Sequence, residues 1–367
     1  MWKKILFLLV VLATILIAYL LFWPVPIAPV AWQPPELKTF PESTSKQYLN
    51  SVERITIGKG PEDLAFDRNG VIYTGLSDGR IVRLNAWDAA PQDFASTGGR
   101  PLGLVFDNAG NLIVADARRG LLQLHSNGSI TDLSPNAGRR RVHFANDVDV
   151  AEDGTIYFSE ASSKFSIDEA LLDLLEHRPN GRLLAYDPRT KKSQVLLDHL
   201  YFANGVAVSP DQSFVLVAET WKYRILRYWL KGPKKGKSDV LIDNLPGFPD
   251  NITTSDRNFF WVALPQGPET RKNIDSLLPH VSIRKILARL PQFVLSQSGE
   301  ASLLLALTVE GEIVLALQTV KAPAYSEITS ATEHGGFLYL GSIREDGIAR
   351  LPEMEVAALF DKVHELE

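Results

Sequence analysis

A sixfold repeat dominates the sequence and leaves few folds open to it. An apolar-x-apolar run, a tight turn usually spelled Asp-x-x-Gly and a second alternating run recur along the chain. The copies begin at Pro61, Pro101, Ala145, Ala203, Pro249 and, more loosely, Ser326. Alternation is the period of half-buried β-strands, and Asp-x-x-Gly supplies the turn between them. Because early copies are about 40–45 residues apart, the spacing of four-stranded blades, the sequence predicts an all-β, six-bladed β-propeller. A strand around residues 55–57 is expected to close the ring against the last blade.

The N-terminus predicts a membrane anchor. Lys3 and Lys4 precede 19 residues without a charge, from Ile5 to Trp23, and a helix needs about 20 residues to cross a bilayer. A cleaved signal peptide is the alternative, but its apolar region is usually shorter, and no Ala-x-Ala-like cleavage site follows. The lysines place the N-terminus in the cytoplasm, so the rest of the chain is expected on the periplasmic or extracytoplasmic side.

The predicted domain boundaries follow from composition. Residues 1–23 form the cytoplasmic lysines and the anchor, and residues 24–45, with six prolines, form a stiff, extended stalk. Residues 46–355 form the propeller, and residues 356–367 form a C-terminal tail. The chain has no cysteine, which excludes disulfides and thiol catalysis and favours a bacterial envelope protein. A net charge of -5 gives no reason to expect a nucleic-acid partner.

Two insertions interrupt the repeat and predict small helical caps over one face of the propeller. The first, residues 162–180, contains a short helical pattern from Ile167 to Leu172. The second, residues 268–297, has helical spacing from Ile274 to Leu295 and includes several basic residues. Such loops often control access to a site, and the second insertion also suits contact with membrane lipid. The alternative is that both merely fill surface.

Oxygen-bearing side chains recur at the start of the first strand of several repeats. Because these inner strands line the channel of a propeller, their starts are expected to meet at one mouth. Calcium takes 6–8 oxygen ligands, whereas zinc prefers histidine and cysteine, which are missing at these positions. For any one of these residues alone, a turn or strand cap is the simpler explanation. Together they predict a calcium site formed by Glu62, Asn146, Asn204, Asp250 and Asn251.

Five segments carry a family resemblance, which spans about residues 50–352. They are Arg100–Leu104, Phe144–Val148, Phe202–Val206, Pro249–Ile252 and Glu333–Gly341. In combination they resemble the strictosidine synthase-like family, which includes the adipocyte plasma membrane-associated proteins and is grouped with the paraoxonases and gluconolactonases. The resemblance implies a six-bladed propeller. It also implies that the five oxygen donors match the channel-calcium ligands of the lactone- and ester-hydrolysing members.

The resemblance raises a question about the reaction. Strictosidine synthase itself condenses an amine with an aldehyde without a metal, and its active glutamate lies in a segment similar to the one that holds Glu333. Paraoxonases carry a histidine proposed as the general base, but Leu102 occupies that position here. The base must then be another group, and Asp250, Glu62 and His143 are the candidates. A lone histidine such as His143 is more often a packing or hydrogen-bonding residue.

These observations favour calcium-assisted hydrolysis of a small-molecule lactone or carboxylic ester, with a carboxylate such as Asp250 orienting or deprotonating water. Two alternatives stay open. One is an amine–aldehyde condensing enzyme that uses Glu333. The other is a non-catalytic binding module in which calcium is structural, because propellers host many functions. The membrane partner is expected to bind through residues 5–23, and the oligomeric state is not predicted.

Overall fold

Each repeat folds into a blade of four antiparallel strands. The computed structural model describes residues 2–37, 49, 52–134, 136–137, 140–291, 295, 302–319 and 325–357. These residues form six four-stranded sheets and one two-stranded hairpin. The predicted all-β, six-bladed propeller with a helix at its N-terminus is confirmed.

The strand bounds are as follows. The first three blades are β2 (Leu64–Phe66), β3 (Ile72–Gly75), β4 (Arg80–Leu84) and β5 (Gln92–Ser96); β6 (Pro101–Phe106), β7 (Leu112–Asp116), β8 (Gly120–Leu124) and β9 (Ile130–Ser134); and β12 (Ala145–Val150), β13 (Ile156–Glu160), β14 (Gly181–Asp187) and β15 (Lys192–Leu200). The fourth and fifth are β16 (Ala203–Val208), β17 (Phe214–Glu219), β18 (Arg224–Trp229) and β19 (Ser238–Ile242); and β20 (Ile252–Thr254), β21 (Phe259–Leu264), β22 (Leu303–Thr308) and β23 (Ile313–Gln318). The sixth is β24 (Ile328–His334), β25 (Phe337–Ser342) and β26 (Gly347–Pro352), completed by β1 (Glu53–Thr56), and the hairpin is β10 (Asn136–Ala137) with β11 (Arg140–Arg141).

The ring closes between the two ends of the domain. Strand β1 pairs antiparallel with β26, in a register that sets Glu53 opposite Arg350 and Thr56 opposite Gly347. The Arg350 guanidinium donates to the Glu53 carboxylate at 2.7 Å. The closure expected around residues 55–57 is therefore confirmed. It covers the edge of β26 that would otherwise be unpaired at the seam.

The core lies between blades because each sheet is apolar on both faces. One cluster joins the fourth and fifth blades, and Phe260, Val262 and Leu305 are almost fully buried in it. Another joins the fifth and sixth blades around Trp261 and Leu340. Burying one such side chain stabilises the fold by about 1.5–3 kcal/mol, so the packed blades make a rigid frame for the channel.

The innermost strands β2, β6, β12, β16, β20 and β24 run in the same direction. We call the end of the ring at which they begin the upper face, and the opposite end the lower face. Both insertions lie on the upper face, as predicted. The first contains a 3₁₀ turn (Ile167–Glu169) and α2 (Ala170–Glu176), and the second contains α3 (Pro268–Asp275) and α4 (Val281–Leu287).

The second insertion differs in one respect from its sequence pattern. Helical spacing extends from Ile274 to Leu295, but the structure has two short helices with a break between them. Pro279 lies in the break, where it lacks an N–H donor and disfavours helical geometry in the residue before it. Residues 292–294 and 296–300 lie outside the described residues.

Helix α1 (Trp2–Phe22) precedes the propeller. It is the one helix of the described residues that is long and apolar enough to cross a membrane, and none of its residues is buried. Residues 24–37, which we call the strap, follow it as extended chain without regular secondary structure. The strap lies against the upper face: Ile27 is buried, and the Trp32 ring stacks on His177 at 4.5 Å. Residues 38–45 of the predicted stalk lie outside the described residues.

Candidate metal centre

Irregular pairing shapes the upper ends of the inner strands. The register shifts between Ala145 and Val148 in β12, and between Ala203 and Val206 in β16. Strand β6 has the same shift between Pro101 and Leu104. Such bulges redirect side chains. Asn146 and Asn204 lie inside two of these bulges, at equivalent positions of adjacent blades.

Hydrogen bonds join the donor-bearing segments of the fourth, fifth and first blades, with the sixth blade between the last two. The Gly205 N–H donates to the Asp250 carbonyl at 3.2 Å, and the Asn251 N–H donates to the Thr329 carbonyl at 3.2 Å. The Thr329 hydroxyl then donates to the Glu62 carbonyl at 2.6 Å. Gly205 is required here, because a Cβ at this position would lie 2.3 Å from the Asp250 carbonyl oxygen.

Five side chains at this junction are buried and keep an oxygen without a hydrogen-bond partner among the described residues. Buried polar atoms are almost always paired, so a cluster of unpaired oxygens calls for a ligand. Two carboxylates and three amides make a hard donor set of the kind that calcium prefers. No group of three or more His, Cys, Asp or Glu side chains in the described part of the chain is arranged for a metal, so any site depends on the amides. The unpaired atoms are Glu62 Oε2, Asn146 Oδ1, Asn204 Oδ1, Asp250 Oδ1 and Asn251 Oδ1.

Burial controls the charge of the two carboxylates. It raises the pKa of Glu62 well above the usual value, the negative charge of Asp250 raises it further, and Arg100 opposes both. Burial also raises the pKa of Asp250 to about 7, although a hydrogen bond from the Asn204 side chain lowers it. The neighbouring negative charges destabilise each other, and a cation among these oxygens would favour their ionised forms.

Arg100 was not among the residues singled out from the sequence. It is buried on the upper face, beside Glu62. Its backbone N–H donates to Asp116 Oδ1 at 3.0 Å, at the end of the second strand of the same blade. One sequence pattern could have pointed to it. An acidic residue ends the second strand of three successive blades, Asp116, Glu160 and Glu219, and Asp116 is the one that holds the backbone of Arg100.

The structure does not bring Glu333 to the donor cluster. Glu333 is the sixth residue of β24, whose start lies beside Glu62, so it lies roughly 13 Å further along the strand, towards the lower face. Its carboxylate accepts hydrogen bonds from Ser255 at 2.7 Å, Arg257 at 2.6 Å and Trp261 at 3.1 Å. These contacts join the fifth and sixth blades.

The two remaining sequence candidates also differ in their surroundings. His143 is on the upper face but exposed, and its backbone N–H donates to Glu160 Oε1 at 2.7 Å. Leu102 is buried in an apolar cluster with Phe144, Phe202 and residues of the first insertion. A row of aromatic rings continues from there. The ring centroids of Phe202 and Trp221 are 4.4 Å apart, and those of Trp221 and Phe248 are 5.9 Å apart.

A cavity of about 330 Å³ opens at the lower face and reaches up to Asn251. Its carboxylates brace the ring: Asp63 accepts the Leu104 N–H at 3.0 Å, and Asp147 and Asp149 accept the N–H groups of Val206 and Val208, each at 2.7 Å. Burial is the main cause that raises the pKa of Asp63 and of Asp149 to about 6. A larger groove of about 850 Å³ between the third and fourth blades contains none of the candidates.

Comparison with known proteins gives a consistent picture. The strictosidine synthase family model matches residues 146–233, and the strictosidine synthase-like N-terminal model matches residues 46–84. Strictosidine synthase-like protein 6 of Arabidopsis thaliana is 35% identical over 334 residues, which cover 89% of this chain and 88% of that protein. The adipocyte plasma membrane-associated protein of Bos taurus is 36% identical over 316 residues, covering 80% and 76%.

Solved structures with the same fold are more distant in sequence. A gluconolactonase from Xanthomonas campestris superposes with a TM-score of 0.59 at 16% identity, covering 90% of this chain and 98% of that one. A calcium-binding regucalcin from Agrobacterium tumefaciens gives 0.56 at 14% identity, covering 83% and 92%. At these identities the likeness establishes the propeller fold and leaves the chemistry to the site itself.

Proposed function

The chain belongs to the strictosidine synthase-like family, and we propose that within it this protein is a membrane-anchored, calcium-dependent hydrolase of lactones or carboxylic esters. One observation supports the proposal: five buried side chains from four blades, near the upper ends of the inner strands, each have an oxygen that lacks a partner among the described residues. Gluconolactonase and regucalcin, as their names indicate, offer a precedent for lactone chemistry and calcium binding on this fold.

Glu62, Asn146, Asn204, Asp250 and Asn251 would hold the ion. When bound, calcium supplies a positive charge that polarises the substrate carbonyl and stabilises the oxyanion that develops on it. The bulges in β12 and β16 keep the two asparagines fixed in place, so little reorganisation is needed when substrate enters.

We assign Asp250 as the residue that orients the attacking water and accepts its proton. Its Oδ1 has no partner among the described residues, whereas its carboxylate also accepts from Asn204, which holds its orientation. Attack of water on the carbonyl breaks a water O–H bond, and the Asp250 carboxylate takes that proton. The resulting carboxylic acid returns the proton to the departing alkoxide, so the ester and water become an acid and an alcohol. Glu62 would carry the second negative charge that balances the cation.

The apolar cluster over the donors has a separate task. Leu102, Phe144 and Phe202 are nearly fully buried and contact the first insertion. Because they are so well packed, they would exclude bulk water from the donors, which strengthens charge interactions there. Leu102 also leaves no basic group at that position, which is a further reason to assign the proton transfer to a carboxylate.

The two rival functions make different demands. A condensing enzyme that uses Glu333 would work from the lower-face cavity, which Glu333 and His334 line, and would not need the cation. A binding module would keep the cation for stability alone. We also propose that the propeller faces away from the cytoplasm, because Lys3 and Lys4 lie at the opposite end of α1.

The test is hydrolysis of a panel of lactones and aryl esters by the full-length chain in detergent, first with calcium and then with a calcium chelator. We expect activity that disappears on chelation, returns with calcium and falls by about a hundredfold or more in Asp250→Asn. The matched control is Asp153→Asn, on an exposed lower-face turn. No hydrolysis, together with a chelator-resistant condensation of an amine with an aldehyde that requires Glu333, would favour condensation chemistry. Calcium that raises only the melting temperature would favour a binding module.

A further inference from the structure

The end of the membrane helix is fastened to the second insertion. Arg289, just after α4, donates to the carbonyls of Leu20 at 3.0 Å and Trp23 at 2.6 Å. The Tyr19 hydroxyl returns a hydrogen bond to the Arg289 carbonyl at 3.0 Å. Carbonyls at a helix C-terminus lack partners within the helix, so Arg289 caps α1. The propeller is therefore fastened to the last turn of the helix rather than hanging from a free tether.

The strap continues this attachment across the upper face. The Arg178 guanidinium donates to the Ala28 carbonyl at 2.6 Å, and that of Arg284 donates to the Val30 carbonyl at 2.6 Å. Arg271 reaches the Pro35 carbonyl at 3.1 Å. Arg271 and Arg284 are both buried. These contacts leave little slack between α1 and the fold.

Helix length then places this face relative to the bilayer. The 21 residues of α1 span roughly 31 Å, about the thickness of the hydrocarbon core. Tyr19 and Trp23 lie in or just after its last turn, where aromatic side chains favour the membrane interface. Arg289 bonds directly to this turn and must lie at the same depth. The second insertion is therefore at headgroup level.

The outward surface of that insertion suits such a position. Ile283 on α4 is 43% exposed, and Lys285 two residues on is also exposed, as is Lys272 on α3. The segment 268–291 contains five basic and two acidic residues, and of the basic ones Arg271 and Arg284 are buried. The other side of α4 is occupied, since Leu287 packs against the cluster of Ile27 and Leu175. An insertion that exposes both an apolar side chain and lysines is typical of a surface that rests on lipid.

We propose that the upper face rests on the bilayer through α3 and α4, and that the candidate site takes its substrate from the membrane. The donor cluster lies at the upper ends of the inner strands, and buried apolar and aromatic side chains lie beside it. The substrate class is then a lipophilic lactone or ester dissolved in the bilayer. This assignment of substrate rests on the proposed hydrolase function, whereas the orientation does not.

Orientation can be measured without any activity. Because the chain has no cysteine, Ile283→Cys provides a single attachment point for an environment-sensitive fluorophore on the full-length protein in nanodiscs. The matched control is Ala109→Cys, on an exposed turn of the lower face. We expect lipids with brominated tails to quench the label at 283 and to leave the label at 109 unchanged. Equal, water-like emission at both positions would overturn the orientation.

Substrate class needs a second comparison in the same nanodiscs. Ile283→Asp with Lys285→Glu should lower hydrolysis of a long-chain ester about tenfold, the loss expected from one apolar contact with lipid, and should leave a short, water-soluble ester unaffected. An equal loss on both esters, or on neither, would overturn delivery from the membrane. If the unmodified protein hydrolyses neither ester, the hydrolase function fails and its substrate class with it, while the label still decides the orientation.

Discussion

The carboxylate of Glu160 holds the backbone N–H of His143, three residues before Asn146. Its other oxygen accepts from the buried guanidinium of Arg182. The next blade repeats the arrangement: Glu219 accepts the N–H of Tyr201, three residues before Asn204, and also binds Arg224. A buried carboxylate in the second strand thus holds the segment that carries each asparagine donor.

We expect Glu160→Gln to be strongly destabilising, because it leaves the buried Arg182 without its counter-charge. Breaking such a pair typically costs about 3–5 kcal/mol. The control is Asp78→Asn, which removes an ion pair to Arg80 between partly exposed side chains and should cost less than about 1 kcal/mol. Urea unfolding of both variants measures the difference. Similar losses of stability in the two variants would show that the buried Glu160–Arg182 pair contributes no more than a partly exposed ion pair.

Gly205→Ala should weaken calcium binding as well as the fold. The added Cβ would contact the Asp250 carbonyl oxygen at 2.3 Å and the Ile252 nitrogen at 2.5 Å, so the donor segment must move. Gly75→Ala crowds Pro101 at 2.7 Å in a different blade and serves as the control. Both should melt earlier, but only Gly205→Ala should reduce the rise in melting temperature that calcium produces. An unchanged calcium response in Gly205→Ala would contradict the site.

Glu333→Gln should retain hydrolysis and lose stability. Its carboxylate bonds Arg257, Ser255 and Trp261 across two blades, and hydrogen bonds to a charged group are each worth about 1.5–3 kcal/mol. We expect a lower melting temperature with an unchanged kcat/KM for the best ester or lactone. A loss of turnover in a variant that still melts like the wild type would instead place Glu333 in the chemistry.

His177 should make the protein sensitive to acid. Burial, with Lys222 and Arg284 nearby, lowers the pKa of His177 to about 3, against 6.5 for an ordinary histidine. The unfolded chain therefore binds a proton that the folded chain refuses between these values, and stability falls as the pH drops below 6.5. The contribution between pH 7 and pH 5 is about 2 kcal/mol.

Chemical unfolding at both pH values tests this expectation. His177→Phe keeps the ring stacked under Trp32 and removes the titration, so its stability should fall less between pH 7 and pH 5 than that of the wild type. His125→Phe is the comparison, because His125 is partly exposed and lies on a different blade. Equal pH dependence in His177→Phe and the wild type would contradict the assignment.

Removing the strap should destabilise the propeller although it removes no blade. A fragment that begins at residue 38 leaves Arg284 without the Val30 carbonyl and Arg271 without the Pro35 carbonyl, at about 1–3 kcal/mol for each unpaired buried group. A fragment that begins at residue 24 lacks only the membrane helix and should melt close to the full chain. Identical melting of the two fragments would show that the strap contacts are dispensable.

Much of the fold follows from local patterns. Alternation around each Asp-x-x-Gly turn predicts the blades because a strand shows its two faces with a period of two. The donor positions followed as well, since residues such as Asn146 and Asn204 occupy the same place in a repeat and the propeller brings equivalent places together. The position of Glu333 was harder to predict, because a motif indicates the strand but not the end of the channel at which a residue lies. Counting residues from the start of β24 would have shown that Glu333 lies far from Glu62.

The docking of the strap could not be predicted from sequence patterns. Its hydrogen bonds join residues separated by 146 to 254 positions, and an extended proline-rich segment carries no periodicity that indicates a partner. The prolines predict the extended backbone, whereas its docking depends on buried arginines. Buried arginines look like ordinary surface residues in a sequence, because burial is decided by the tertiary fold.

The pairing of β1 with β26 has a consequence for biosynthesis. Glu53 and Arg350 are 297 residues apart, so the first strand emerges from the ribosome long before its partner exists. At about 5–20 residues per second, it waits roughly 15–60 s for that partner. During this interval the open ring presents unpaired strand edges at both ends. Chaperones would be most needed during this interval, which ends when the last blade has been translated and the ring can close.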